Sequence, residues 1–280
     1  MSRRLVRLGL VQMSMSEDQT ANLRTALTGV NEAAGRGADI VCLPELFTVR
    51  YFPTKRHSQQ QPEPIPGRTS RALSECARRN SVILVGGSIY ERSGRLRYNT
   101  SLLFDRGGRT ISKYRKVHIP QDEHYYEQDY FSPGRKYSVA RTEAGTIGTL
   151  ICFDQWYPEA ARVNRLMGAE MLFYPTAIGW VRGIEPTEGD WKQAWEAVQV
   201  GHAVANSVVV CAVNRVGTEG ATTFWGGSFV CNQFGRIVSR AEDKPGVFLA
   251  DVDLDLGRTV EEGWGFLRNR KARSYSRITG

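Results

Sequence analysis

A thiol, a carboxylate and an ammonium stand at three comparable places in this sequence. Cys152 closes the apolar run Thr149-Leu150-Ile151 and is followed by Phe153-Asp154-Gln155-Trp156-Tyr157-Pro158-Glu159. Glu45 follows Val41-Cys42-Leu43-Pro44, and Lys116 sits within Tyr114-Arg115-Lys116-Val117-His118-Ile119-Pro120. Together they are the parts needed to open and hydrolyse an amide or urea carbon. The thiol would attack. A free thiol titrates near ~8.5, so at neutral pH it needs a carboxylate to take its proton, a cation beside it, or the positive end of a helix. Glu45, behind Pro44 and ahead of Leu46-Phe47, is poorly placed for a surface role, and partial burial would suit it to acid/base work. Lys116 would supply a donor to a developing oxyanion, with the backbone N–H of Phe153 as a second. One such donor is typically worth ~2.7–4 kcal/mol of barrier. Taken singly, each residue has a plainer reading: a structural cysteine, a capping or salt-bridged glutamate, a surface lysine lying along apolar neighbours.

Such groups must be delivered by the ends of regular elements. Strand-like runs fall at 5–12, 40–43, 82–90, 98–104, 147–152, 171–174, 208–213, 227–231 and 246–252. Helical spacing relates Leu23, Leu27 and Val30, with Gly37 as a stop signal. It also relates Ala160, Val163 and Met167 after Pro158, and Trp191, Trp195, Val198 and His202 after Asp190. Strands alternating with helices predict an α/β protein. Glycine-containing turns such as Glu91-Arg92-Ser93-Gly94-Arg95 and Asp105-Arg106-Gly107-Gly108 pair some strands directly, so the sheets should be mixed. With no linker, low-complexity tract or short repeat, 1–280 reads as one domain. The stretches 50–66, rich in Gln and Pro, and 120–136, rich in acidic and aromatic residues, read as loops that line or cover a site.

Composition excludes several classes. The chain has 280 residues, 41% of them hydrophobic, enough for a full core. No run approaches the ~18 apolar residues of a membrane span. The start, Met1-Ser2-Arg3-Arg4-Leu5-Val6-Arg7, lacks the apolar core and cleavage site of a signal peptide and predicts a cytoplasmic protein. Cysteines at 42, 76, 152, 211 and 231 show no C-x-x-C spacing, which argues against structural zinc. The net charge of +8 is scattered apart from Arg268, Arg270, Lys271, Arg273 and Arg277, so nucleic acid is not the expected partner. His202 reads as a buried, hydrogen-bonded histidine, and Gly86-Gly87 lacks the context of a phosphate loop.

The three segments, in the order Glu45, Lys116, Cys152, resemble the nitrilase, or carbon–nitrogen hydrolase, superfamily from Gly9-Leu10-Val11-Gln12-Met13 to Trp264-Gly265-Phe266. The resemblance implies a four-layer α-β-β-α sandwich with two mixed sheets, a Glu–Lys–Cys triad, and no metal or organic cofactor. It also implies a homodimer or higher homo-oligomer, with 264–280 as an arm at the subunit contact. Cys152-Phe153-Asp154-Gln155-Trp156-Tyr157-Pro158-Glu159-Ala160-Ala161-Arg162, Leu172-Phe173-Tyr174-Pro175-Thr176-Ala177-Ile178-Gly179, Tyr125-Tyr126-Glu127 and Trp264-Gly265-Phe266-Leu267-Arg268-Asn269-Arg270 are similar to the N-carbamoylputrescine amidase branch. By that likeness Glu127 is a second glutamate that orients Lys116 and the substrate nitrogen. Thr48-Val49-Arg50 and Trp180-Val181-Arg182-Gly183-Ile184 depart from the branch, which bears on the substrate and not on the triad.

The substrate expected from this likeness is a small molecule with a ureido or amide group: N-carbamoylputrescine, or, failing that, the substrate of an ω-amidase or another carbamoyl amidohydrolase. A non-catalytic scaffold with this fold is the alternative of a different class. The relatives that take N-carbamoyl amino acids carry arginines after the cysteine, where this chain has Gln155-Trp156, and that favours an amine or neutral tail. An ammonium tail needs a carboxylate, for which Asp154, Glu185, Glu188 and Asp190 are candidates, although acids are also favoured at helix starts for their own sake. Phe153, Trp156, Tyr130, Thr176, Ala177 and Glu185 are the expected substrate contacts, with Phe131 beside Tyr130. His118 and His124 lie near the lysine.

Overall fold

Alternate residues of two stacked sheets build the centre of the molecule, which a computed structural model describes for residues 3–184, 187 and 189–278. One sheet runs in the order Gly246–Asp253, Leu5–Gln12, Ile40–Cys42, Ile83–Val85, Leu96–Phe104, Ile89–Ser93, Glu63–Pro64, with Thr110–Arg115 also paired to Leu96–Phe104. The other runs Val139–Thr142, Gly145–Thr149, Met171–Thr176, Val209–Asn214, Phe229–Cys231, Ile237–Arg240. Both are mixed, as expected. Ile40–Cys42 is parallel to its neighbours while Ile83–Val85 meets Leu96–Phe104 antiparallel. Met171–Thr176 is flanked by parallel strands, and Val209–Asn214 is antiparallel to Phe229–Cys231. Two small sheets, one of Gly179–Val181, Thr222–Trp225 and Val216–Glu219, the other of Gln121–Asp122 with Tyr125–Tyr126, sit beside them.

Successive strand side chains face opposite ways, and the sequence exploits this in both sheets. Leu8, Leu10, Ile40, Cys42, Ile83 and Val85 meet Ile147, Met171, Phe173, Val209, Cys211 and Val213 between the sheets. On the first sheet's other face, Val11, Val41, Leu84 and Leu102 lie under helices α1 (Gln19–Gly35) and α2 (Arg68–Asn80). On the second sheet's other face, Leu172, Tyr174, Val210 and Ala212 lie under α3 (Pro158–Leu166) and α4 (Trp191–Asn206). The result is the four-layer α-β-β-α order. Asp18 caps α1, its Oδ1 accepting from the N–H groups of Thr20 and Ala21, and Asp190 caps α4 in the same way through Lys192 and Gln193.

Some elements depart from the expected pattern. The run 82–90 splits into Ile83–Val85 and Ile89–Ser93 because Gly87 takes φ 58° and bends the chain. The run 227–231 shortens to Phe229–Cys231 because Gly226 and Gly227 both take positive φ. The third helix buries Ala160, Ala161 and Asn164, and Met167 lies exposed just past its end. Small alanines let that helix sit close on the sheet, which outweighs the burial of a longer side chain. Among the described residues, no helix is long and apolar enough to cross a membrane.

Candidate active site

The chemical groups gather at the carboxyl ends of parallel strands, where α/β sheets place their ligand sites. Glu45 follows Ile40–Cys42, Cys152 follows Gly145–Thr149, Ala177 follows Met171–Thr176, and Arg215 follows Val209–Asn214. Two of these turns hold non-glycine residues in the left-handed region: Leu46 at φ 46° and Cys152 at φ 41°. Such conformations cost ~1–3 kcal/mol each and persist only where surroundings impose them. At Leu46 the N–H donates to Ser88 Oγ at 2.9 Å. Behind this turn passes Gly87, where a Cβ would lie 2.3 Å from the Pro44 carbonyl oxygen; no side chain fits there. At Cys152 the left-handed turn starts the 3-10 helix Cys152–Trp156. It leaves the sulfur on the cavity wall, 3.8 Å from the Ala177 carbonyl oxygen.

Lys116 is the centre of the cluster. Its Nζ donates to Glu45 Oε1 at 2.9 Å and to both oxygens of Glu127, at 2.9 and 2.7 Å. All three side chains are fully buried. Glu45 Oε1 also accepts from Asn99 Nδ2 at 2.7 Å, and the Asn99 carbonyl accepts from the Lys116 N–H at 2.9 Å. One asparagine therefore ties the lysine backbone to the glutamate side chain. Glu127 Oε1 further accepts from the Tyr51 hydroxyl at 2.6 Å. Glu45 Oε2, by contrast, has no hydrogen-bond partner among the described residues. A buried carboxylate oxygen with a free lone pair is what a general base requires.

One ammonium faces two carboxylates and a thiol, so the cluster must hold protons that solvent would remove. Burial opposes charge on Lys116, but Glu127 and then Glu45 outweigh it and hold the ammonium above its ordinary value. Burial pushes the Glu127 carboxyl up; Lys116 pulls it down, while the charge of Glu45 adds to the rise. The Cys152 thiol is raised well above its usual range, first by burial and then by Glu45, with Lys116 opposing. Burial and the neighbouring Glu45 charge therefore favour the protonated thiol at Cys152.

The thiol opens on a cavity of about 440 Å³, sized for a small molecule. Glu127 and Cys152 line it, and Glu45 and Lys116 join this wall through the hydrogen bonds of Lys116 to Glu127 and Glu45. The other lining groups that matter are aromatic and acidic: Trp156, Trp180, Trp191 and Trp225, with Asp122 and Glu123 at the exposed rim.

The sequence profile of the carbon–nitrogen hydrolases matches residues 7–262. The chain belongs to the carbon–nitrogen hydrolase family. It is 36% identical to an N-carbamoylputrescine amidase of Solanum lycopersicum, over 97% of this chain and 94% of that one. It is 34% identical to a citrullinase of Francisella tularensis, over 98% of each. A crystal structure of a carbon–nitrogen hydrolase from Helicobacter pylori superposes with a TM-score of 0.91 at 32% identity, over 99% of both chains. These matches make the protein a hydrolase of carbon–nitrogen bonds.

In this carbon–nitrogen hydrolase the expected contacts divide. Phe153, Trp156 and Ala177 line the cavity. Tyr130 does not; it packs with Phe52, Tyr90 and Phe131 beneath the site and donates to the Lys55 carbonyl at 2.6 Å. Thr176 is likewise interior, its hydroxyl donating to the Tyr174 carbonyl at 2.9 Å. Both were expected at the substrate; Tyr130, at the end of the 3-10 turn Glu127–Asp129, turns into an aromatic cluster, and Thr176 closes a strand that is buried on both faces. Asp154 is used up in structure, accepting from Tyr114 Oη, the Ile151 N–H and the His118 N–H while also meeting His118 Nδ1. Asp190 is spent on its helix cap. Glu185 and Glu188 lie outside the described residues. His202 Nε2 meets the Gln155 carbonyl at 2.7 Å, and burial lowers the imidazole below its usual value; it is the buried histidine expected. His118 stacks on Tyr157. The residues that sequence reading missed are Tyr51, Asn99 and Arg215. Asn99 had a visible signal, the polar run Asn99-Thr100-Ser101 directly before the apolar Leu102-Leu103-Phe104 in one strand.

Proposed function

We propose that the protein hydrolyses N-carbamoylputrescine to putrescine, carbon dioxide and ammonia. Cys152 Sγ attacks the carbamoyl carbon as Glu45 takes the thiol proton. The Lys116 ammonium and the Phe153 N–H stabilise the oxyanion. Glu45 returns the proton to the departing amine, leaving a carbamoyl thioester. Water, deprotonated by Glu45, hydrolyses that thioester to carbamate and regenerates the thiol. Carbamate then breaks down to carbon dioxide and ammonia. Glu127 holds Lys116 in place and faces the substrate nitrogen from the cavity wall.

The observation that carries the substrate is the charge of the cavity. Asp122 and Glu123 stand at its rim, Glu127 is already paired with Lys116, and no Lys, Arg or His lines it among the described residues. Tryptophan faces attract cations, and an uncompensated carboxylate tail would meet only acids. Ammonia release from N-carbamoylputrescine, butylurea, N-carbamoyl-4-aminobutyrate, L-citrulline and a carboxylate-bearing ω-amide tests this. The expected result is a kcat/KM at least about tenfold higher for the ammonium tail than for the neutral one, near the energy of one buried cation–aromatic contact. A preference for either carboxylate-ended compound overturns the assignment. We also propose that 264–280 joins subunits. Trp264 is 68% exposed and Ile278 64%, so sedimentation should give a dimer or larger species, and a chain ending at Gly263 should sediment as a monomer.

A further inference from the structure

A second buried ion pair lies next to the Lys116 cluster, and none of the chemistry above uses it. Arg215 is fully buried, and its Nη1 donates to Glu219 Oε1 at 2.8 Å. Its Nη2 turns to the loop that carries Glu45, donating to the carbonyl oxygens of Glu45 (2.8 Å), Leu46 (3.0 Å) and Val49 (3.3 Å). Glu219 reaches the other end of the same loop, where its Oε2 accepts from the Tyr51 N–H at 2.6 Å. The ring of Phe224 lies 5.1 Å from the guanidinium.

A buried guanidinium is costly unless its donors are matched. Here Nη1 and Nη2 serve a carboxylate and three carbonyls at once, which the compact charge of a lysine does not reproduce, and Nε alone has no partner among the described residues. All three carbonyls belong to the segment 45–51. One end of that segment presents Glu45 to Lys116; the other presents Tyr51 to Glu127. Between them Leu46 sits at φ 46°, a conformation that its own sequence would not choose.

We propose that Arg215 and Glu219 are positioning residues. By gripping both ends of the 45–51 loop they set where the Glu45 carboxylate and the Tyr51 hydroxyl stand around Lys116. They thereby govern how readily the Cys152 thiol loses its proton. The inference rests on Glu45 acting as the base, and not on which urea is the substrate.

The test follows two rates in the full-length chain and in Arg215→Met, Arg215→Lys and Glu219→Gln, each checked for native near-UV circular dichroism. One rate is alkylation of Cys152 by iodoacetamide, read by mass spectrometry. The other is kcat, with KM, per alkylatable Cys152. Displacing a catalytic group by about 1 Å costs about 100-fold, so Arg215→Met should lose about that factor in both rates while KM changes less than about threefold. Arg215→Lys should recover part of the loss. A merely structural role would lower the melting temperature and the active fraction but leave both rates per thiol unchanged. That outcome in Arg215→Met overturns the proposal, and so does the same outcome in Arg215→Lys and Glu219→Gln where the Met variant does not fold. Glu45→Gln in the alkylation assay separates the two layers: wild-type alkylation there removes the base itself. Failure to cleave any urea would leave the alkylation arm intact.

Discussion

The Tyr51 hydroxyl donates to Glu127 Oε1 at 2.6 Å, and Glu127 in turn holds Lys116, which holds Glu45. A phenol is thereby the outermost member of a buried chain of charge-assisted bonds. Removing it leaves a buried carboxylate oxygen with one partner fewer. Hydrogen bonds to charged groups are worth about 1.5–3 kcal/mol. Tyr51→Phe should therefore lower kcat by about 10- to 100-fold, with KM less affected because Tyr51 does not line the cavity. Steady-state kinetics on the preferred urea checks this. An unchanged kcat would mean that Glu127 needs only Lys116.

Cys152 combines a raised thiol with a left-handed backbone, φ 41°. Its replacement by alanine should abolish turnover, a loss of at least about 10⁴-fold by comparison with other nucleophile deletions, and leave the fold intact. Replacement by glycine should be equally inactive yet more stable than the alanine variant by about 1 kcal/mol, because glycine carries no Cβ to clash in this region. Urea denaturation of the two variants decides it. Equal midpoints would show that the turn is not strained by its side chain.

Burial raises the Glu127 carboxyl above its ordinary 4.5 against the pull of Lys116. The folded chain therefore keeps a proton there that the unfolded chain has already released. Between the two values folding takes up a proton, so this group's contribution is complete below 4.5 and is lost as pH rises through the raised value. Glu127→Gln cannot titrate. Its melting temperature should fall less steeply than that of the parent across the window that opens at 4.5. Parallel curves for the two proteins would assign the proton elsewhere in the cluster.

How far the site was legible follows from where each residue sits in the chain. Glu45 and Cys152 each follow a short apolar strand run, so their placement at a sheet rim follows from where that run stops, and Lys116 directly follows a strand in the same way. Glu127 was legible only through the family likeness, because nothing local in Tyr125-Tyr126-Glu127 says that it turns inward. Tyr51 and Arg215 belong to segments whose meeting depends on the packing of two sheets, and contacts between residues more than 160 positions apart leave no local periodicity. Tyr130 shows the reverse error. The aromatic content of 120–136 marks a loop at a site but does not say which rings face the cavity and which face the core. Asp122 and Glu123 stood in the same loop, and their place on the rim became visible only with the fold.

The tail of the substrate is the remaining choice, and it divides between rings and rim charges. Trp180, in the segment that departs from the N-carbamoylputrescine amidase pattern, lines the cavity and packs against Trp225 with ring centroids 4.8 Å apart. A desolvated cation–aromatic contact is worth about 0.5–2 kcal/mol, so Trp180→Ala should raise KM for N-carbamoylputrescine by roughly 2- to 30-fold. Butylurea, which has the same length without the charge, controls for shape. If the two substrates lose equally, the ring acts as a wall and not as a cation site. Asp122 and Glu123 are exposed, and exposed charges contribute about 0–1 kcal/mol and are screened by salt. Asp122→Asn with Glu123→Gln should therefore change KM by less than about fivefold, and the change should vanish at high ionic strength. A larger, salt-resistant effect would instead place the ammonium directly on a rim carboxylate, with the tryptophans only excluding water around it.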